Sequence, residues 1–337
     1  MSDEREAAAG AAEQSESNTP EAELTSAGAG TDGKAAGLTS RQDAFRWICV
    51  AYAAALVVAL VAGASMSGSH PLLIALVADI AATIAIFGFS YAFGNSSFYD
   101  AYWSVAPVPL AIYWAVVAPP DASTLRQVVV IALILIWGVR LTTNWARGWS
   151  GLSHEDWRYE KFRDEFPRSY WAISFGGIHM MPTLWVFAGL LPVYAAVGVG
   201  TQPFGMIDLI AVAITGGAIW VEAQADRELR DFKASRPQRG ELLVNGLWGL
   251  SRHPNYFGEM SFWWGLFIFA VAADPAYWWT GIGALSITLM FKFASLPMIE
   301  ERMKARRPEY EAATQNTPLV IPWPRRRRDA KSAGTQS

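Results

Sequence analysis

The chain is poor in cysteine, histidine and charge. Cys49 is its single cysteine, which excludes an intrachain disulfide framework and a cysteine-based metal site. The four histidines, His70, His154, His179 and His253, are spread along the chain with no HxxxH or HExxH spacing. A zinc or diiron ligand set is therefore not expected, and no metal is assigned. No GxGxxG follows a strand-like run, so a Rossmann nucleotide site is excluded. Charged residues make up 17% of the 337, against about 25% in a soluble domain. That shortage excludes an ordinary soluble globular protein.

What is present is apolar and unevenly placed. Hydrophobic residues reach 52%, and the mean hydropathy is +0.19. Residues 1–44 hold nine carboxylates, from Asp3 to Asp43, among Ala, Gly, Ser and Thr. Such a segment buries too little apolar area to offset its ordering entropy, which predicts a disordered tail. Beyond it, apolar runs recur at lengths near the roughly 20 residues that cross a ~30 Å hydrocarbon core. They predict spans near 45–64, 72–93, 102–118, 125–143, 172–198, 206–223, 259–273 and 277–296, and the break at Asp274-Pro275 allows the last two to form one hairpin. The expected fold is an all-α, polytopic transmembrane bundle of seven to eight spans over 45–323, with a basic tail at 324–337.

Loop charge gives an orientation. Lysine and arginine crowd the connections 144–171 and 224–258 and the segment after the last span, while 65–71, 119–124, 199–205 and 274–276 contain none. Eight spans with both termini inside put every basic segment in the cytoplasm, as the positive-inside rule requires. The expected setting is a prokaryotic cytoplasmic membrane. The run Arg325 to Arg328 reads as a topology anchor that could also meet anionic lipid, and no nucleic-acid partner is expected.

Polar residues at membrane depth mark candidate chemistry, because an unpaired carboxylate there costs several kcal/mol, on the order of 3 or more. Asp79 lies inside the second span, and Asp100 precedes the third amid Tyr99, Tyr102 and Trp103. Either acid, or a neighbouring tyrosine, could donate a proton or polarise a carbonyl; structural hydrogen bonding and helix capping compete with that reading. Glu222, Asp226 and Arg230 recur every four residues and share one helix face. Asn144, Arg147, Arg158 and Tyr159 in the basic loop could grip phosphates and stack on a ring. The densest polar stretch is Gly246–Glu259, with Arg252, His253, Asn255, Tyr256 and Glu259 around Pro254. His179-Met-Met-Pro182 reads as a hydrogen-bonded kink.

That stretch, Gly-Leu-Trp…Ser-Arg-His-Pro-Asn-Tyr-Phe-Gly-Glu, resembles a signature shared by membrane steroid 5α-reductases, sterol reductases and isoprenylcysteine carboxyl methyltransferases. The likeness continues through Glu222-Ala-Gln-Ala-Asp226, Glu300-Glu301-Arg302…Tyr310 and Leu319-Val-Ile-Pro322. Asn95-Ser-Ser-Phe-Tyr99-Asp100 and Glu155-Asp156-Trp157-Arg158-Tyr159 are more specifically similar to the DUF1295, or steroid 5α-reductase-like, family. The resemblance implies NADPH as cofactor and a lipophilic α,β-unsaturated carbonyl as substrate. It implies a nucleotide site from Asn144, Arg147, Arg158, Tyr159, Glu222, Asp226, Arg230, Arg252, His253, Asn255, Tyr256, Glu259, Glu301, Arg302 and Tyr310. Where the reductases carry an asparagine four residues before the acid matching Asp226, this chain has Glu222. The catalytic candidates are Asp79, Asp100, Tyr99 and Tyr102. The alternative is an S-adenosylmethionine-dependent methyltransferase, for which Arg252–Tyr256 and Glu300-Glu301 also fit. A transporter is disfavoured because no inverted repeat is visible. Oligomeric state is left open.

Overall fold

The computed structural model describes residues 40–237 and 240–323. The expected tail falls mostly on 1–39, and the basic run Arg325 to Arg328 beyond 323; both lie outside the described residues. Among the described residues the structure is all helical, and seven helices are long and apolar enough to cross a membrane.

The first, α1 (Arg41–Ser65), starts four residues earlier than the apolar run indicates, because Ser40 caps it by accepting from the Asp43 amide. α2 (Pro71–Phe93) opens on Pro71, whose fixed φ suits a first turn. It closes on Gly94 at φ +67°, the left-handed cap that favours glycine. The expected third span, 102–118, is the one correction. It forms two short helices, α3 (Tyr102–Val105) and α4 (Pro107–Val116), because Pro107 offers no amide to continue α3. The pair rises only about 22 Å at 1.5 Å per residue.

The pair nonetheless carries the chain from one end of the bundle to the other. Before it, Asn95 donates to the carbonyls of Leu152 and His154 in the basic connection. After it, Arg126 bonds the carbonyls of Gln202, Pro203 and Ala272 at the opposite end. The bundle is thus traversed eight times, and the basic connections gather at one end.

α5 (Thr124–Gly148) leads to the short polar helix α6 (Trp157–Glu165), then to α7 (Tyr170–Val199), α8 (Met206–Ala234) and a single turn, α9 (Leu247–Leu250). α10 (Pro254–Ala273), α11 (Pro275–Arg306) and α12 (Tyr310–Thr314) complete the order. Widened π turns end two residues before Pro182 and Pro297, at Met180 and Ser295. A proline ring pushes away the carbonyl four residues back, and in both helices that carbonyl lies within the π turn. α8 and α10 pack closely at glycines: a Cβ on Gly258 would meet the Ala218 carbonyl at 2.9 Å, and one on Gly265 the Thr215 amide at 3.0 Å. The core holds the buried indoles of Trp114, Trp137 and Trp263.

Candidate functional site

An apolar cavity of about 920 Å³ lies between α1, α2, the α3–α4 pair and α5. Alanines of α1 and α2 leave the space open, and Leu56, Leu60, Val105 and Leu110 coat it. Within this lining Tyr102 donates to Asp79 Oδ1 at 3.1 Å. Both side chains are buried, and each line the cavity. Tyr99 packs beside Tyr102 at 5.5 Å between ring centroids. Its hydroxyl, however, is 2.8 Å from Thr183 Oγ1, which in turn is 2.9 Å from Thr83. Asp100 is placed apart, accepting from Tyr159 at 2.9 Å near the basic connections. Burial pushes its carboxyl up to about 7 even though the Tyr159 bond opposes the shift. Of the four catalytic candidates, the structure therefore unites Asp79 with Tyr102.

A second, polar pocket of about 250 Å³ lies between the last turns of α5 and α8. Arg140, Asn144, Arg147, Asp226, Arg227 and Arg230 line it, together with Thr143. Thr143 also lines the apolar cavity, so the two spaces share that residue as a wall. Asp226 accepts from Arg140 at 2.7 Å, and Arg230 donates to Asn144 at 2.8 Å. Arg147 and Arg227 are exposed, with no partner among the described residues. Behind the wall Glu222 is ion-paired with Arg140. Glu259 accepts from the indoles of Trp137 at 3.0 Å and Trp263 at 2.9 Å.

The remaining nucleotide candidates form two further groups. Arg302 stacks on Trp157 at 3.8 Å, which brings the end of α11 to α6. Tyr256, at the start of α10, packs against His253 and against Phe291 of α11, with ring centroids 5.6 and 4.7 Å apart. Asn255 Oδ1 and Arg302 Nη1 are buried without hydrogen-bond partners among the described residues. The last group is satisfied internally. Glu300 accepts from Arg252 at 2.5 Å and from Tyr310 at 2.6 Å, with His253 Nε2 at 2.7 Å. Burial, then the Glu300 carboxylate, holds the Tyr310 phenol above its ordinary range, so it remains a donor. The segment 317–323 straps this turn through Arg252 N–H to the Pro318 carbonyl and Trp323 N–H to that of Leu250. Glu301, one residue along, is exposed.

His179 occupies the first π turn of α7. Its Nδ1 lies 2.9 Å from the Ser174 carbonyl, so that nitrogen carries the proton and Nε2 accepts from Ser90 at 2.9 Å. It is the hydrogen-bonded kink that the sequence indicates.

Sequence reasoning did not single out Arg140, Thr143 or Arg227 as site residues, and it quoted Glu300 only within the family-like pattern. Arg140 carried a usable signal, being an arginine well inside an apolar run. Thr143 carried none, since its role is to stand as a wall of both spaces.

A helical membrane protein with an apolar cavity and an arginine-lined pocket that share Thr143 as a wall residue is thereby defined. The chain belongs to the DUF1295 family, described as proteins of unknown function, whose model matches residues 86–317. It is similar to the uncharacterized protein C594.04c of Schizosaccharomyces pombe, at 25% identity over 247 residues, covering 66% of this chain and 72% of the relative. No solved structure matches the chain.

Proposed function

We propose that the chain is an NADPH-dependent reductase that saturates the C=C bond of a lipophilic α,β-unsaturated carbonyl. The observation that supports this is an arginine-lined pocket that shares the wall residue Thr143 with an apolar cavity holding a tyrosine–carboxylate pair. Arg147, Arg227 and Arg230 suit phosphate groups, which guanidinium forks bind bidentately. Asn144 is placed beside them. The small pocket accommodates one end of a nucleotide, and the unpartnered Asn255 and Arg302 atoms offer further contacts at the same end of the bundle.

Bound NADPH would supply hydride to the substrate's β-carbon. Tyr102 is positioned to donate its hydroxyl hydrogen to the carbonyl oxygen, stabilising the enolate charge that develops there. Protonated Asp79, donating to the Tyr102 oxygen, would free that hydroxyl hydrogen for the carbonyl and can furnish the proton that completes the reduction. The apolar lining keeps water from the reacting centre and receives the substrate's lipophilic body. By the positive-inside rule, the basic end and both termini face the cytoplasm.

Thermal shift on the detergent-purified protein tests the reading, with NADPH, NADP⁺, NADH, S-adenosylmethionine and S-adenosylhomocysteine as ligands. A ligand at one hundred times its Kd stabilises the folded state by about 2.7 kcal/mol. Stabilisation by the NADP pair is expected. Stabilisation by the adenosylmethionine pair alone replaces the reductase with a methyltransferase.

A further inference from the structure

The segment 317–323 returns from α12 to the turn that leads into α10, and four bonds fasten it there. Arg252 donates through its amide to the Pro318 carbonyl at 2.9 Å and through Nε to that of Thr317 at 3.2 Å. Ser251 Oγ donates to the Val320 carbonyl at 2.6 Å, and the Trp323 amide to that of Leu250 at 2.9 Å. On the strap's side these bonds use backbone groups alone, and its side chains alternate. Thr317 is buried, Pro318, Val320 and Pro322 are half-buried, and Leu319, Ile321 and Trp323 are exposed, the last two at 67%. The depth of this apolar stripe follows from α10. Its 20 residues rise about 30 Å, the thickness of the hydrocarbon layer, so the turn before Pro254 lies at the layer's basic edge. Three large apolar side chains therefore stand exposed at the level where bilayer meets water.

Positive charge accompanies the stripe. From Arg302 to Arg328 the sequence carries eight basic residues and two acids, and four of the arginines, Arg325 to Arg328, follow Trp323 after a single proline. One of the two acids, Glu311, is paired with Lys304. We propose that Leu319, Ile321 and Trp323 seat the strap in the leaflet at the basic end, and that the arginines after them hold the headgroups of anionic phospholipid there. Tryptophan suits this level because its ring is apolar and its N–H polar. Basic residues beside an apolar face draw it to anionic rather than zwitterionic lipid. A polyanion alone would match the arginines and leave the three apolar side chains in water. The strap's bonds carry the attachment to Ser251 and Arg252, and Arg252 in turn holds Glu300. The proposal concerns how the lead-in to α10 is held and is independent of the reductase reading.

Full-length chains with one cysteine, reconstituted in nanodiscs, test this. Cys49→Ser removes the single native thiol, and Ile321→Cys receives an environment-sensitive fluorophore. Gln315→Cys, an exposed polar site just past α12, is the water-exposed reference. In phosphatidylcholine discs that contain phosphatidylglycerol, the label at 321 should emit to the blue of its value in phosphatidylcholine alone. Brominated acyl chains should quench it several-fold more strongly than the label at 315. Arg325→Gln, Arg326→Gln, Arg327→Gln and Arg328→Gln together should abolish the difference between the two bilayers. So should about 1 M salt, where the Debye length falls to about 3 Å. Leu319→Cys carries the same expectation if labelling at 321 unfolds the strap. A label that reports water in both bilayers overturns the proposal. So does one that reports hydrocarbon equally in both, since the arginines would then have no part in seating the strap.

Discussion

Tyr102 and Asp79 meet at 3.1 Å in a cavity whose lining is otherwise mostly aliphatic. The tyrosine comes from the first turn of α3 and the acid from the middle of α2, 23 residues earlier. Neither is paired with a cation, and Tyr102 is packed between the rings of Tyr52 and Tyr99, at 5.9 and 5.5 Å between centroids. Tyr102→Phe and Asp79→Asn should keep nucleotide binding while lowering kcat by about 10²-fold or more, the usual scale for removing a proton donor. Nucleotide titration and turnover on the same preparation separate the two effects. Unaltered turnover in both variants would return the pair to a packing role.

Asp100 provides a stability prediction with a definite sign. Burial first, and the nearby Asp156 charge, raise its carboxyl to about 7, against the lowering effects of Tyr159, Arg158 and Ser97. A raised carboxyl binds more protons in the folded than in the unfolded chain at intermediate pH. Its contribution therefore weakens the fold as pH climbs from about 4 to about 7 and is constant above. Asn keeps the acceptor for Tyr159 and removes the ionisation. The Tm of Asp100→Asn should gain on wild type across that window, and the gap should then stop widening. A gap independent of pH contradicts the assignment.

The close approach of α8 and α10 predicts a graded series. At Gly258 an added methyl meets Glu222 and the Ala218 carbonyl, and at Gly265 it meets Thr215. Small residues let membrane helices pack backbone to backbone, and overfilling such a contact costs about 1–3 kcal/mol. Gly258→Ala and Gly265→Ala should both lower Tm. Only Gly258→Ala should also disturb nucleotide binding, because it alone displaces the Glu222 side chain. Equal binding losses in the two variants would mean that the disturbance is general.

Apolar run length and loop charge made most of the fold legible, since a bilayer imposes both. The α3–α4 break was written in Pro107, yet whether two short helices still cross depends on contacts made by Arg126, far along the chain. For the site, Asp79 and Tyr102 could be named from the cost of burying polar groups. Their pairing could not, because Tyr99, Asp100 and Tyr102 sit within four residues and only the turn at Ser96–Tyr99 decides which one faces α2. The Arg252–His253 turn reads as a ligand site by composition. Its donors are instead met by Glu300 and the 317–323 strap, which are brought there by the end of α11.

The opposite end of the bundle supplies a prediction independent of catalysis. Arg126 has a fully buried side chain and holds Asp208 through two bonds of 2.7 and 2.8 Å. It also donates to the carbonyls of Gln202, Pro203 and Ala272, while Asp208 accepts from the Gly205 amide. One guanidinium thus ties α5 to the start of α8 and the end of α10. Removing one member of a buried pair leaves the other charge uncompensated, at about 3–5 kcal/mol. Arg126→Met should lower Tm sharply. Arg126→Met combined with Asp208→Leu should recover part of the loss, because no bare carboxylate remains. Recovery should fall short of wild type, since three carbonyls still lack the donor that Arg126 provided. A double variant no better than the single one would show that the carbonyl contacts, not the ion pair, hold this end together.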